Sequence, residues 1–355
     1  MKISVLGAGA VGSMIGGLLK YYEPSMDVVL VARGEHGEAL ARRQAVSLIG
    51  SWGMYDVSLR VALSPDEIAG SDVVIVTMKP QDTERALAAA MPYLDSTLVI
   101  SVQSGINDHV LEQFVSRERL VMGMTGSQMA VVQPGTVTLP HNGVTVVGPS
   151  RDGTNHKASR QARNLLRLTG MRVVEHPNIL GVRYNKLVVN ALGFSACLSA
   201  FNFIADAVCH QLWRDYVGSP LLEESLEVLR RVRIRLSPIP GSTDAFRIQR
   251  AFRLLNKPLV GRAMQRFAER IFGNRPITHS LAQDLRRGKK TEVDEINGDL
   301  VRLAHSVGYH VPYNQLVQAS LRQLESRADG SYPSEHEVLR RFQSIGHPPC
   351  LRIAG

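Results

Sequence analysis

The feature that most constrains this chain is a glycine-rich hexad near its start, Gly7-Ala8-Gly9-Ala10-Val11-Gly12. A short apolar stretch, Lys2–Leu6, precedes it, and a helix-patterned segment, Val11–Tyr21, follows. G-x-G-x-x-G between a strand and a helix is the turn of a β-α-β unit that cradles a dinucleotide. Gly7 permits the tight turn, Gly9 lets the backbone approach a pyrophosphate, and Gly12 allows the helix to pack closely on its strand. Amides at the helix N-terminus then face the phosphates. The alternative is a glycine-rich turn without a ligand. All six residues are read here as cofactor-binding.

The pattern after the hexad agrees. Asp27–Ala32, Asp72–Thr77 and Thr97–Gln103 are apolar runs of strand length, and Glu35–Arg43, Asp82–Ala90 and Asn107–Val115 read as helices. Apolar strands separated by helices imply a parallel sheet covered on both faces. Residues 119–148 read as later, partly antiparallel strands. From residue 157 long helices take over: Lys157–Thr169, Asn178–Leu198, then 220–234, 244–255, 258–272, 279–287, 292–307 and 313–326. The expected fold is α/β: a Rossmann-type dinucleotide-binding domain over 1–176 and an all-helical domain over 177–328. A polar tail, 329–355, carries a short helix near His336–Phe342.

A length of 355 residues suits two domains. The net charge of +9 favours anionic partners. Its densest groups are Arg230, Arg231, Arg233 and Arg235, then Arg286, Arg287, Lys289 and Lys290. Neither is interleaved with aromatics or joined to a nucleic-acid motif, so a solvated basic face is expected and nucleic acid is not. Cys197, Cys209 and Cys350 form no CxxC pair, which argues against a disulfide or zinc scaffold and for a reducing, cytoplasmic setting. Glycines at 7, 9 and 12 would interrupt a signal-peptide core, and no apolar run of about 18 residues suggests a membrane span.

The end of the second strand separates NAD from NADP. An NAD site usually places Asp or Glu there for the ribose hydroxyl. This chain has Ala32-Arg33-Gly34. A guanidinium can pair bidentately with a 2′-phosphate, so Arg33 points to NADPH. The alternative is an ordinary surface arginine.

Lys79 and Gln103-Ser104-Gly105 follow two other strands, where ligands of open α/β sheets sit. They could instead merely cap those strands. Lys186 and Asn190 stand four apart in the apolar segment RYNKLVVNALGF and so share a helical face. A lysine there either snorkels to water or has a task. Desolvation would lower its pKa and suit it to proton donation. Thr291-Glu292-Val293-Asp294 looks like a capping box, which would put Glu292 in a first helical turn. Pure capping is the alternative for both acids.

Taken together, GAGAVG, VARGEH, MKPQDT, SVQSG, RYNKLVVN and HSLAQDLRRGKKTEVDEINGDL resemble the ketopantoate reductase (2-dehydropantoate 2-reductase) family, from residue 1 to about 326. The resemblance implies a Rossmann domain followed by a helical domain of the 6-phosphogluconate dehydrogenase C-terminal type. It also implies reduction of a small 2-keto acid by NADPH, 2-dehydropantoate to pantoate; a homodimer is an expectation that the sequence itself does not give. On it, Lys186 matches the proton-donating lysine and Glu292 the carboxylate that orients substrate and lysine. Ser280 and Asn190 match substrate-binding positions, and Lys79 the strand-end lysine near cofactor and substrate.

Two positions depart from the family. Ser104 stands where the family usually has asparagine, and Phe194 stands where it has a second substrate asparagine. Both are read as substrate-facing, and Gln103 beside them as cofactor-facing. An aromatic surface in place of a polar contact should disfavour a hydroxylated substrate such as ketopantoate. A hydroxyl-free 2-keto acid, an opine-type carbonyl or imine substrate, and a non-catalytic NADP-binding role stay open.

Overall fold

The computed structural model describes residues 1–150, 155–199, 210–256, 280–286, 288–327 and 331–346. Eight strands form one sheet: β1 (Lys2–Leu6), β2 (Asp27–Val31), β5 (Arg60–Ala62), β6 (Val73–Val76), β7 (Leu98–Ser101), β8 (Leu120–Thr125), β11 (Thr145–Pro149) and β12 (Val173–Glu175). Their order is β12-β11-β8-β7-β6-β1-β2-β5. Every pairing is parallel except β8 with β11. A second sheet, β4-β3-β10-β9, combines the hairpins β3–β4 (Ala45–Gly50, Gly53–Ser58) and β9–β10 (Gln128–Gln133, Thr136–His141).

Alternation along each strand feeds two cores. Val28 and Leu30 of β2, and Val73 and Ile75 of β6, enter one cluster. Val29, Val31, Val74 and Val76 enter the other, on the opposite face. Both faces are dry, which is why these strands read as unbroken apolar runs.

The helices are α1 (Ala10–Tyr22), α2 (Gly34–Arg43), α3 (Thr83–Ala90), α4 (Asp108–Phe114), α5 (His156–Arg167), α6 (Ile179–Ala196), α7 (Gln211–Trp213), α8 (Ser219–Arg231) and α9 (Ala245–Leu255). Then come α10 (Ser280–Arg286), α11 (Val293–Ser306), α12 (Pro312–Glu325) and α13 (Glu335–Gln343). A π-helical turn, Arg214–Gly218, joins α7 to α8. The chain divides into two compact units, 1–183 with 239–242, and 184–238 with 243–355. The boundary falls inside α6, between Arg183 and Tyr184.

The strands β3, β4, β5 and β12 are absent from the sequence expectation. Only Val57 of β4 is buried, so that strand carries little apolar signal. β5 and β12 hold three residues each, too few to show a period. The expected helix 258–272, Cys209 and Cys350 lie outside the described residues. Cys197 is buried, and its thiol donates to the Gly193 carbonyl at 3.6 Å. No helix among the described residues is long and apolar enough to cross a membrane.

Candidate active site

The first unit builds a dinucleotide cradle at the carboxyl end of β1. Gly7 has φ +86, and a Cβ there would stand 2.6 Å from Met78 Cβ. Gly12 is equally pinned, because a Cβ would strike the Thr77 hydroxyl and Val5. Those two glycines answer to packing. Gly9 does not: a Cβ on it would meet nothing nearer than the Gly7 carbonyl oxygen at 4.0 Å. Its bareness serves whatever approaches from outside, as close backbone approach to a pyrophosphate requires. Gly9 is also the N-cap of α1, which has no side-chain cap and no acidic residue in its first turn. That helix end suits an anion. The turn therefore fits a dinucleotide.

Several hydrogen bonds hold the turn. The N–H groups of Gly7 and Ala8 both donate to the Val31 carbonyl, at 3.0 and 2.9 Å. The Thr77 hydroxyl donates to the Gly7 carbonyl at 3.0 Å. Gly135 N–H donates to His36 Nδ1 at 3.1 Å, so the ring proton sits on Nε2, 3.1 Å from Ser13 Oγ. Ser13 in turn donates to the Ala8 carbonyl at 3.1 Å. His36 thus braces the turn from the helix that Arg33 opens, a role no local motif announces.

Arg33 is the N-cap of α2, with extended backbone, and its side chain is 63% exposed. It forms an ion pair with Asp82. Lys79 is half-buried at the N-cap of a 3-10 turn, Pro80–Asp82. Gln103 is 3% exposed, and its amide is committed to unit 1. Its Nε2 donates to the Met78 carbonyl at 2.9 Å and to Thr83 Oγ1 at 2.8 Å. Its Oε1 accepts from Ser101 at 3.0 Å and from Asn107 at 2.9 Å. Gln103 therefore shapes the loop, and Ser104 beside it is half-exposed.

Arg183 completes this loop and was not singled out by sequence. Its guanidinium donates to Asp108 Oδ2 at 2.6 Å and to the Gly105 carbonyl at 3.0 Å. The side chains of Arg183 and Asp108 are 2% and 3% exposed. A cation in an apolar segment gives no hint of a partner 75 residues away.

The second unit holds the remaining candidates. Lys186, Val189 and Asn190 form a half-exposed stripe on α6, while Leu187, Val188, Ala191 and Leu192 are buried. Phe194 lies deeper, at 2% exposure. Asn185 fixes the helix by donating to the Ser237 carbonyl at 3.0 Å and accepting from Ala245 N–H at 2.8 Å. Ser280 opens α10, and its side chain lies outside the described residues.

Glu292 is half-buried at the N-cap of α11, one residue before the helix proper. The expected capping box does not form. Thr291 N–H donates to Glu325 Oε1 at 2.8 Å, and Asp294 accepts from Gln318 and from Arg322, each at 2.8 Å. Tertiary partners on α12 outcompete the local pairing. Gln318 and Arg322 hold the Asp294 carboxyl below its usual range despite its partial burial.

With this geometry in view, the relatives are informative. Residues 3–152 match the family model "Ketopantoate reductase PanE/ApbA", and residues 178–325 match its C-terminal counterpart. The 2-dehydropantoate 2-reductase of Pyrococcus horikoshii is 29% identical over 333 residues, covering 93% of this chain and 100% of that protein. That of Archaeoglobus fulgidus is 29% identical over 326 residues, covering 92% and 98%. The PanE/ApbA family ketopantoate reductase from Ralstonia eutropha superposes with TM-score 0.69 at 26% identity, covering 92% and 98%. A D-mandelate dehydrogenase with NADH and anilino(oxo)acetate gives 0.73 over 92% and 98%, but at 22% identity it speaks for the fold alone. The chain belongs to the ketopantoate reductase family, oxidoreductases that reduce a 2-keto acid with NADPH.

Proposed function

We propose that Lys186 is the proton donor of a 2-keto acid reduction and that ketopantoate is the first substrate to test. The observation that supports this is the half-exposed pairing of Lys186 with Asn190 on an otherwise apolar helix. NADPH supplies the hydride that converts the carbonyl carbon. The chain's share is to deliver a proton to the developing alkoxide, a task that suits an ammonium on a partly desolvated face. Glu292, at a helix N-terminus that favours its charged form, orients the substrate and the lysine. Asn190 and Ser280 hold the substrate, with Ser104 and Phe194 shaping what it can carry. Gly7 to Gly12, Arg33 and Lys79 hold the cofactor, and Gln103 sets their loop.

The test is NADPH oxidation against ketopantoate and a panel of hydroxyl-free 2-keto acids. Phe194 favours the hydroxyl-free acids, so a preference for ketopantoate refutes that role. Lys186→Ala should lower kcat by about 100-fold or more on every accepted substrate, the usual worth of a positioned acid. Unchanged turnover ends the assignment. The same reading places the protein in the cytoplasm as a homodimer, which cell fractionation and light scattering check.

A further inference from the structure

Asp82 was not among the expected site residues, yet it engages two cations. Its Oδ2 pairs with Arg33, and its Oδ1 lies 3.4 Å from Arg85. Arg33 follows β2 and Asp82 follows β6, while β1 runs between those strands. Neighbouring strands lie about 4.8 Å apart, so the pair spans roughly 10 Å. It does so at the carboxyl end of β1, where the glycine turn is. The carboxylate is 25% exposed and its partners 63% and 74%, so it is reachable from solvent.

We propose that Asp82 is a specificity-determining residue that competes with the 2′-phosphate of NADPH for Arg33 and Arg85, and so narrows the preference for NADPH over NADH. The proposal rests on the reading of Arg33 as the phosphate contact. A phosphate monoester carries nearly two negative charges and three acceptor oxygens. To reach Arg33 it must displace or share the Asp82 carboxylate, and a like charge left nearby opposes it. A ribose with a free 2′-hydroxyl meets no such opposition, because a carboxylate accepts a hydrogen bond from that hydroxyl. Arg33 therefore pulls toward NADPH and Asp82 pulls back. Arg85, on the other oxygen of the same carboxylate, is a second cation for the phosphate.

The experiment is equilibrium titration of the purified full chain, read by protein fluorescence, with NADPH, NADH, adenosine 2′,5′-bisphosphate and 5′-AMP. The last two lack the nicotinamide and isolate the adenosine end. Asp82 gives α3 no side-chain cap bond, so Asp82→Asn leaves the helix start intact. It should tighten NADPH and the bisphosphate by roughly 1.5- to fivefold, the range of an exposed ion pair, and leave NADH and AMP unchanged or weaker. Arg85→Gln should weaken the two 2′-phosphate ligands only. Equal changes for both cofactors, or weaker NADPH binding in Asp82→Asn, overturn the proposal. Arg33→Gln separates the layers. If it leaves the NADPH-to-NADH ratio unchanged, the Arg33 reading and this one both fall. If that ratio collapses while Asp82→Asn changes nothing, only the role of Asp82 falls.

Discussion

Asp108 has little water to turn to. Its side chain is 3% exposed, and its charge is answered by Arg183 at 2.6 Å. The two ions hold each other and, through Gly105, the loop that carries Ser104. Removing one partner of a buried pair leaves an uncompensated charge, at a cost of about 3–5 kcal/mol. Arg183→Met should therefore lower the unfolding free energy measured in urea by that much, and Asp108→Asn in the same chain should restore most of it. A small effect of the single change would mean that the loop relaxes. The same contrast explains what sequence shows at this scale. Lys186 and Asn190 are legible because one helical period places them on one face. Arg183, Asp82 and His36 are not, because their partners Asp108, Arg33, Ser13 and Gly135 lie on other elements and leave no local spacing to read.

Between elements, the most exacting contact joins α8 to α12. Glu224 accepts the N–H groups of Tyr313 and Asn314 at 3.0 and 2.8 Å, and Asn314 Nδ2 at 2.8 Å. These donors include first-turn amides of α12, so the carboxyl caps a helix from a neighbouring one. Burial pushes its pKa up to about 7, against the three hydrogen bonds that favour ionisation. A carboxyl raised on folding binds its proton more tightly in the native state. Its contribution is full below about pH 4.5 and is lost as pH rises through about 7. At 1.36 kcal/mol per pKa unit this amounts to about 3 kcal/mol. Thermal unfolding between pH 4.5 and 8 should show that decline, and Glu224→Gln should flatten it. A decline that persists in Glu224→Gln places the titration elsewhere. The boundaries of α8 and α12 are readable to within a few residues, since both carry an apolar stripe. The tie between them is not, because an acid in the sequence looks exposed until its donors are known.

At the scale of the whole chain, the family model's match ends at residue 325, but the fold continues. In α13, Val338, Leu339 and Phe342 are buried to 4%, 6% and 1%. Phe342 stacks on Tyr313 with ring centroids 6.1 Å apart, and the Tyr313 hydroxyl donates to the Gly346 carbonyl at 2.8 Å. The expected polar tail is thus partly core of the second unit, because three apolar residues at helical spacing suffice to dock a short helix. Each fully buried side chain of this kind contributes about 1.5–3 kcal/mol, an upper estimate given a compact unfolded state. Truncation after Arg327 should therefore destabilise the chain by about 5 kcal/mol, comparable with the whole stability of many domains. Chemical denaturation of the truncated and full chains measures it, and equal midpoints would show that α13 is dispensable.

The glycine turn answers to two independent selective pressures. Gly7 and Gly12 are demanded by the atoms of the chain itself, so any descendant that keeps this fold keeps them, whatever it binds. No neighbouring atom of the protein crowds Gly9. A lineage that abandoned its dinucleotide could acquire a side chain at that position without a steric clash. Across divergent copies of this chain, position 9 is therefore the residue whose drift would record the loss of cofactor binding, while its two neighbours would record only the survival of the architecture.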